Sequence, residues 1–133
     1  MTERILVAYD RSSLGDLAVE TALQLARERS GAELHVLAIS QAAGDVPLRE
    51  QLNDDLIAFA HLGRRLGVAV DGTVLVAPDA ECIATELTQR RIDRVVIARP
   101  AAPADDTVID RLMDAAAGVA GVDTVVVRDG ASP

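Results

Sequence analysis

The chain has 133 residues, which predicts a single domain over residues 1–133 that is long enough to bury a sizeable core. Half of the residues are hydrophobic but only Tyr9 and Phe59 are aromatic, so we expect a core of aliphatic side chains. Acidic residues outnumber basic ones, 21 against 13, and the resulting formal net charge of −8 argues against binding to nucleic acid or to anionic membrane surfaces.

Cysteine usage and the apolar runs indicate the compartment. Cys82 is the single cysteine, which rules out an intramolecular disulfide and a cysteine metal cluster and favours a reducing environment. The first residues, Thr2-Glu3-Arg4, lead into an apolar run without the pattern of a secretory signal. No apolar run approaches the length of a membrane span. We therefore expect a cytoplasmic protein that does not enter a membrane.

Apolar periodicity predicts strands and helices that alternate along the chain. Five short apolar runs are typical of strands buried on both faces of a parallel sheet, at 4–9, 34–39, 68–76, 94–98 and 123–128. Four segments between them carry leucine, isoleucine, valine or alanine at helical spacing, at 14–26, 48–66, 80–87 and 108–119. Because crossovers between parallel strands are right-handed, this order predicts an α/β fold with helices on both faces of one sheet.

Local signals predict where these elements begin and end. After the first strand, residues 10–13 form a sharp turn in which Ser13 is the predicted N-cap, with Asp16 at capping-box spacing. The remaining predicted signals are Gly31 and Gly67 as helix-closing glycines, Pro78-Asp79 and Asp105 or Asp106 as helix starts, Gly72 as a bulge or edge position, and 130–133 as a frayed end.

Four segments carry a resemblance to a known family: ILVAYDRSS, GAELHVLAIS, GVAVDGTVLVAPDAECIATELTQRRIDRVVIA and DTVVVR. Together they resemble the universal stress protein (UspA) family over about residues 3–129. The resemblance implies a Rossmann-like, three-layer α/β/α fold of the adenine-nucleotide α-hydrolase type, with a five-stranded parallel sheet in the order 3-2-1-4-5. It also implies a role in stress response and a dimer formed through the last strand. Many members of the family bind ATP, whereas others do not.

The ATP-binding members carry G-x2-G-x9-G-[ST] after the fourth strand, where glycine amides and the next helix N-terminus hold the phosphates. An ungapped match places Ala98, Ala101, Arg111 and Leu112 at the four motif positions. Pro100 and Pro103 remove two further N–H donors, and no glycine occurs between Gly72 and Gly118. The sequence therefore predicts a divergent member that lacks the phosphate cradle.

The nucleoside half of the family site is partly present. Asp10 matches the acid that contacts the nucleoside, and the backbone at Ile39 matches the place where the base lies. If ATP or AMP binds at all, the candidate residues are Asp10, Ser12, Ser13, Ile39 and Arg99, with Arg111 as a further candidate for an anion site. The alternatives stay open: Asp10 stabilises its own turn, the serines are helix caps, the arginines form a solvated surface, and no cofactor binds.

The remaining reactive residue types do not form a recognisable catalytic pattern. His35 lies among apolar strand residues and is interpreted as structural, and His61 is predicted to be exposed on a helix. The two histidines lack metal-ligand spacing, so we expect no metal site. Cys82 is interpreted as a small buried core residue. No Ser-His-Asp or Cys-His arrangement is apparent, so we expect a protein that is not an enzyme.

The last predicted strand has an apolar centre, Val125-Val126-Val127, which would be an exposed edge in a monomer. A two-fold dimer through this strand would cover it, and a short twisted edge or the C-terminal residues are the alternative. Our leading hypothesis is a universal-stress-type protein that does not bind ATP and acts through dimerisation and protein–protein interaction. A nucleotide-binding module with an altered phosphate site is the alternative, and a nucleotide hydrolase is the least supported hypothesis.

Overall fold

A computed structural model of the protein describes residues 2–29, 31–42 and 44–128, in which strands and helices alternate. The strands are β1 (Arg4–Tyr9), β2 (Glu33–Ser40), β3 (Ala69–Val76), β4 (Arg94–Arg99) and β5 (Asp123–Arg128). The helices are α1 (Ser13–Glu28), α2 (Val46–Leu66), α3 (Ala80–Gln89) and α4 (Val108–Ala120), and one 3-10 turn, Pro103–Asp105, precedes α4. None of the helices in the described residues is both long and apolar enough to cross a membrane.

The five strands form one parallel sheet in the order β3-β2-β1-β4-β5, which confirms the predicted topology. The chain moves outward from β1 to β3 and then returns to the other side of β1 with β4, so the strand order reverses between β1 and β4. In open α/β sheets ligands bind beyond the carboxyl ends of the strands at such a reversal. We call this side of the sheet the carboxyl edge and the opposite side the amino edge.

Two apolar clusters cover the faces of the sheet. Helices α1 and α2 pack on one face against Ile5 and Val7 of β1, and α3 and α4 pack on the other against Leu6 and Ala8. Because side chains alternate between the faces of a strand, a strand covered on both sides must be apolar at every position. This requirement explains the short, continuous apolar run from which β1 was predicted.

The predicted starts of α1 and α4 are wrong. Ser12, not Ser13, is the N-cap of α1, and its Oγ accepts a hydrogen bond from the Gly15 amide at 3.0 Å. Thr107, not Asp105 or Asp106, is the N-cap of α4. Asp105 belongs to the preceding 3-10 turn and Asp106 is engaged in ion pairs, so neither carboxylate is available to cap the helix.

The other helix ends agree better with the sequence. Asp79 caps α3 as predicted, and the Cys82 amide that donates to its carboxylate at 2.8 Å lowers the pKa of that group. Gly67 closes α2 in the left-handed conformation, which glycine adopts without strain. Asp45 caps α2 and starts it two residues before the predicted Leu48. Helix α1 ends at its C-cap Arg29, so Gly31 is two residues after the cap and not directly after it as predicted. The predicted frayed end, residues 130–133, lies outside the described part of the chain.

Several predicted core positions are exposed. Val108 and Val119 of α4 lie at the surface, while Met113 and Ala117 occupy the buried stripe instead. Cys82, interpreted as buried, is exposed because α3 turns Ile83, Ala84 and Leu87 toward the sheet. Gly72 lies in β3, which is the edge strand opposite β5, and this agrees with the prediction of an edge position.

Candidate functional site

The carboxyl edge contains a narrow cleft between the ends of β1 and β4. Its volume is about 90 Å³, and its lining includes Ala8, Asp10, Ser12, Ala98, Thr107 and Asp110. Clefts that hold small organic ligands usually have volumes of roughly 300–1,000 Å³. This cleft is therefore smaller than such sites.

Asp10 and Ser12 form one wall of the cleft, and their polar atoms are used within the turn. Asp10 Oδ1 accepts hydrogen bonds from the Ser12 amide at 3.1 Å and from Ser12 Oγ at 2.5 Å. The start of α1 is close to this carboxylate, since a Cβ at Gly15 would lie 2.9 Å from Asp10 Oδ1. These contacts agree with the alternative that Asp10 stabilises its own turn.

The other wall of the cleft is the start of α4, which carries a complete capping box. The Asp110 amide donates to Thr107 Oγ1 at 3.2 Å, and the Thr107 amide donates to Asp110 Oδ2 at 2.8 Å. Asp110 is only 3% exposed. A helix N-terminus attracts anions through its unpaired amides and its dipole. Here the chain's own carboxylate already occupies that favourable position.

Arg99 is buried, so its interpretation as a solvated surface residue is wrong. It is 8% exposed at the end of β4, where its Nη2 contacts the Asp114 carboxylate and its Nη1 lies 4.0 Å from Asp106 Oδ2. Arg128 Nη1 approaches the same Asp106 at 3.0 Å and donates to the Pro100 carbonyl at 3.0 Å. We call Arg99, Asp106, Asp114 and Arg128 the ion cluster; its formal charges balance.

The other predicted site residues lie apart from the cleft. Ile39 is buried in the core on the α3 and α4 face, and Ser13 is exposed in the first turn of α1. Arg111 and Leu112, the last two positions of the ungapped motif match, lie inside α4 rather than in the loop before it. Arg111 is exposed and makes no ion pair within the described residues. The anticipated anion site of Arg99 and Arg111 is therefore not assembled.

A second polar contact at the carboxyl edge joins β1 to α2. Tyr9 Oη donates to Asp55 Oδ2 at 2.8 Å, and Arg11 Nε lies 3.3 Å from the same oxygen. Burial raises the pKa of the Tyr9 phenol above its usual value, and the hydrogen bond and negative charge of Asp55 raise it further. The Tyr9 ring packs edge-to-face on Phe59, with ring centroids 5.0 Å apart. Tyr9 thus fixes α2 to the sheet beside the cleft.

The histidines and the cysteine are dispersed. His61 is exposed on α2, as predicted, and Cys82 is exposed at the start of α3. His35 is buried near the amino edge, where its Nδ1 lies 2.6 Å from Asp71 Oδ1. Among the residues that the structure describes, no group of three or more histidine, cysteine, aspartate and glutamate side chains is arranged to hold a metal ion.

Comparison with known proteins identifies the family to which this arrangement belongs. The model of the universal stress protein family (Usp) matches residues 1–128. The chain belongs to the universal stress protein family. A search of curated protein sequences found no match.

Solved structures of universal stress proteins share the fold at low sequence identity. A family protein from Burkholderia pseudomallei is 20% identical with a TM-score of 0.70, and the match covers 94% of this chain and 95% of that one. An Arabidopsis thaliana family protein with AMP bound is 14% identical with a TM-score of 0.65, covering 97% and 93%. The protein from Archaeoglobus fulgidus in complex with dAMP is 13% identical with a TM-score of 0.67, covering 96% and 98%.

Sequence reasoning missed several residues of this region. The Thr107-x-x-Asp110 spacing is that of a capping box and was the available signal for the start of α4. The partners of Arg99 gave no such signal, because Asp106, Asp114 and Arg128 come from a loop, a helix and another strand. Only the folded chain brings them together.

Proposed function

We propose that this universal stress protein does not hold ATP and acts in a stress response by dimerising and binding other proteins, without turning over a substrate. One observation carries the proposal: the Asp110 carboxylate accepts a hydrogen bond at the start of α4, beside a cleft whose volume is only about 90 Å³. An internal carboxylate at a helix N-terminus competes with a phosphate for the same amides and the same end of the helix dipole.

Electrostatics at the carboxyl edge support the same proposal. Asp10 and Asp110 both line the cleft, and the positive charge of Arg99 is already balanced by Asp106 and Asp114. A triphosphate entering here would meet buried or half-buried negative charge within a chain whose net charge is −8. Like charges in close approach disfavour such an association.

Calorimetric titration with ATP and magnesium tests the first part of the proposal. We expect no saturable heat when ATP and magnesium are titrated into this chain. The Arabidopsis thaliana protein, whose structure contains AMP, is titrated with AMP in the same buffer as the positive control. A 1:1 isotherm with micromolar affinity for ATP would refute the proposal. Absorbance of the purified protein is checked first, because a co-purified nucleotide would mask binding.

The β5 edge supports the dimerisation part of the proposal. Among the residues that the structure describes, β5 has a strand neighbour only on its β4 side. Val126 of β5 is 42% exposed and Val119, in the last turn of α4 just before β5, is 79% exposed. An apolar strand edge next to an exposed valine is a surface that a second copy would cover.

A matched pair of edge variants tests this surface. We expect sedimentation velocity to show a dimer for the unmodified chain and a monomer for Val126→Lys, because a lysine would place an uncompensated charge in the interface. Val76→Lys is the control, since Val76 is a similarly exposed valine at the end of β3 on the opposite edge. A monomeric unmodified chain, or a dimer that only Val76→Lys disrupts, would contradict this assignment.

Binding of a nucleoside monophosphate is the second candidate function. Two structural relatives contain AMP and dAMP, and in this chain Arg99 Nε is buried without a hydrogen-bond partner among the described residues. Titration with AMP tests this function. If this function is correct, AMP binds and either Asp10→Ala or Arg99→Ala abolishes the binding. Asp16→Ala, which changes an exposed carboxylate of α1, should leave AMP binding intact. Binding unaffected by the first two variants would eliminate it.

The positions of the reactive side chains support a role without catalysis. Ser12 and Ser13 follow the carboxyl end of β1, whereas His35 lies toward the amino edge with Asp71, and Cys82 lies in the first turn of α3. A hydroxyl or thiol nucleophile therefore has no histidine base beside it in the described structure. Release of phosphate from ATP above the buffer rate would contradict this part. A cytoplasmic location, which the single cysteine supports, is tested by cell fractionation.

A further inference from the structure

A second cleft lies at the amino edge of the sheet. This amino-edge cleft lies between the starts of β1 and β2, the neighbouring β3 and the end of α3, and its volume is about 340 Å³. It therefore falls within the size range of small-molecule sites, roughly 300–1,000 Å³, which the carboxyl-edge cleft does not reach. Helix α3 has 10 residues, and its last residue Gln89 and its C-cap Arg90 line the cleft.

A buried histidine fixes one carboxylate at the margin of this cleft. His35 is 5% exposed, and the β2–β3 register places it directly opposite Asp71. Since a carboxylate only accepts hydrogen bonds, His35 Nδ1 carries the hydrogen and donates it to Asp71 Oδ1 at 2.6 Å. The Asp71 side chain is itself 74% exposed. Asp71 therefore presents its second oxygen to solvent from a position that His35 holds.

Two arginines, Arg4 and Arg90, also line this cleft. Arg4 of β1 donates through Nη1 to the Arg90 carbonyl at 3.0 Å, and Arg90, at the end of α3, donates through Nη2 to Thr73 Oγ1 at 2.8 Å. Each guanidinium also has one carboxylate partner, Glu33 for Arg4 and Glu86 for Arg90. The described residues provide no hydrogen bond for Arg4 Nη2 or Arg90 Nη1. Each arginine thus retains donors for a further acceptor.

We propose that the amino-edge cleft binds a small zwitterion of the free α-amino acid class. The ammonium group donates to Asp71, and the carboxylate accepts from Arg4 and Arg90. The cleft offers both a carboxylate acceptor and guanidinium donors; a zwitterion matches both, whereas an ion with one charge matches only one of them. The Arg4–Glu33 pair does not prevent this, because both side chains are exposed and such a pair contributes little to stability and can be exchanged for ligand contacts.

NMR titration of the full chain tests the proposal with named probes. L-alanine, L-leucine and L-glutamine are the zwitterions, and propionate and ethylamine are the controls that each keep one of the two charges. We expect saturable shifts of the Arg4, Asp71 and Arg90 amides with at least one amino acid, at concentrations up to roughly 10 mM. The His35 ring nitrogens should shift as well, because Asp71 shares its carboxylate with the ligand. His61, the one other histidine, is exposed elsewhere and serves as the internal control.

Variants separate this site from non-specific binding. Asp71→Asn and Arg90→Gln should each weaken amino acid binding by about tenfold, since each removes a charge-assisted hydrogen bond. Asp123→Asn and Arg27→Gln, which change exposed residues of β5 and α1, should not. Thermal unfolding of every variant confirms that it is folded before it is titrated.

Three results would overturn the proposal. One is the absence of saturable shifts with all three amino acids. Another is binding of propionate or ethylamine as tight as that of the amino acids, which would indicate a simple anion or cation site. The third is amino acid binding that Asp71→Asn leaves unchanged. The inference does not rest on the proposed function, because this cleft and the carboxyl-edge cleft share no lining residue.

Discussion

Thr107 and Asp110 exchange two hydrogen bonds at the start of α4, and Asp110 is buried at the position where a helix most favours an anion. We expect Thr107→Ala to lower the free energy of unfolding by about 1 kcal/mol, because it removes the N-cap hydroxyl. Urea unfolding measures this loss. Thr85→Ala is the control, since Thr85 is an exposed residue inside α3, where alanine is well tolerated. Equal effects of the two changes would show that the cap contributes nothing.

Asp106 joins the two arginines of the ion cluster. Asp106→Asn leaves Arg99, which is buried, and Arg128 with a neutral partner, and we expect a loss of about 1–3 kcal/mol in unfolding free energy. Asp105→Asn changes the neighbouring exposed carboxylate and should have little effect. Chemical denaturation compares them directly. If Asp105→Asn is as destabilising as Asp106→Asn, general charge effects rather than the ion cluster are responsible.

Tyr9 is the single tyrosine, and the chain has no tryptophan, so absorbance near 295 nm reports its ionisation alone. Its pKa in the folded state is raised above the unfolded value of about 10. The folded state therefore prefers the neutral phenol, and this contribution to stability is fully present below pH ~10 and is lost as pH rises further. We expect tyrosinate absorbance to appear only together with unfolding.

Tyr9→Phe is the control for this pH dependence. It removes the titrating group, so stability should fall less steeply above pH ~10, although the lost hydrogen bond to Asp55 should cost about 0.5–1.5 kcal/mol at neutral pH. A folded protein, by circular dichroism, that shows normal tyrosine ionisation near pH 10 would refute the buried hydrogen bond.

Arg11 has a backbone φ of +69°, in the region that favours glycine. Two substitutions separate this strain from its ion pair with Asp55, because Arg11→Ala and Arg11→Gly both remove the pair but only glycine relieves the strain. We expect Arg11→Gly to be more stable than Arg11→Ala by about 1 kcal/mol. Thermal unfolding of the two variants provides the comparison. A more stable alanine variant would show that the turn is not strained.

The elements of the fold could be predicted from the sequence because each has a local cause. Strands covered on both faces must be short apolar runs, so the Val95-Val96-Ile97 and Val125-Val126-Val127 segments could be recognised without their neighbours. Which face of α4 is buried is harder to predict, because the helix has apolar residues on more than one side. Packing against the sheet buries Met113 and leaves Val119 exposed, and the sequence does not contain that choice.

The candidate site was less predictable because its contacts connect distant segments. Arg99 follows an apolar strand and was interpreted as solvated, but Asp114 from α4 and Asp106 from the loop enclose it. His35 is buried among apolar strand residues as expected, yet its partner Asp71 can be identified only from the register of β2 and β3. Pairings of this kind depend on the order of strands rather than on local spacing.

Whether the carboxyl edge is closed to phosphates is tested most directly by an NMR titration with ATP and magnesium that follows the backbone amides around the start of α4. We predict that the amides of Asp106, Thr107 and Ile109–Arg111 do not shift in a saturable manner, because the Asp110 carboxylate already lies at this helix end. Saturable shifts confined to these amides would place the triphosphate at the start of α4 and would contradict the account.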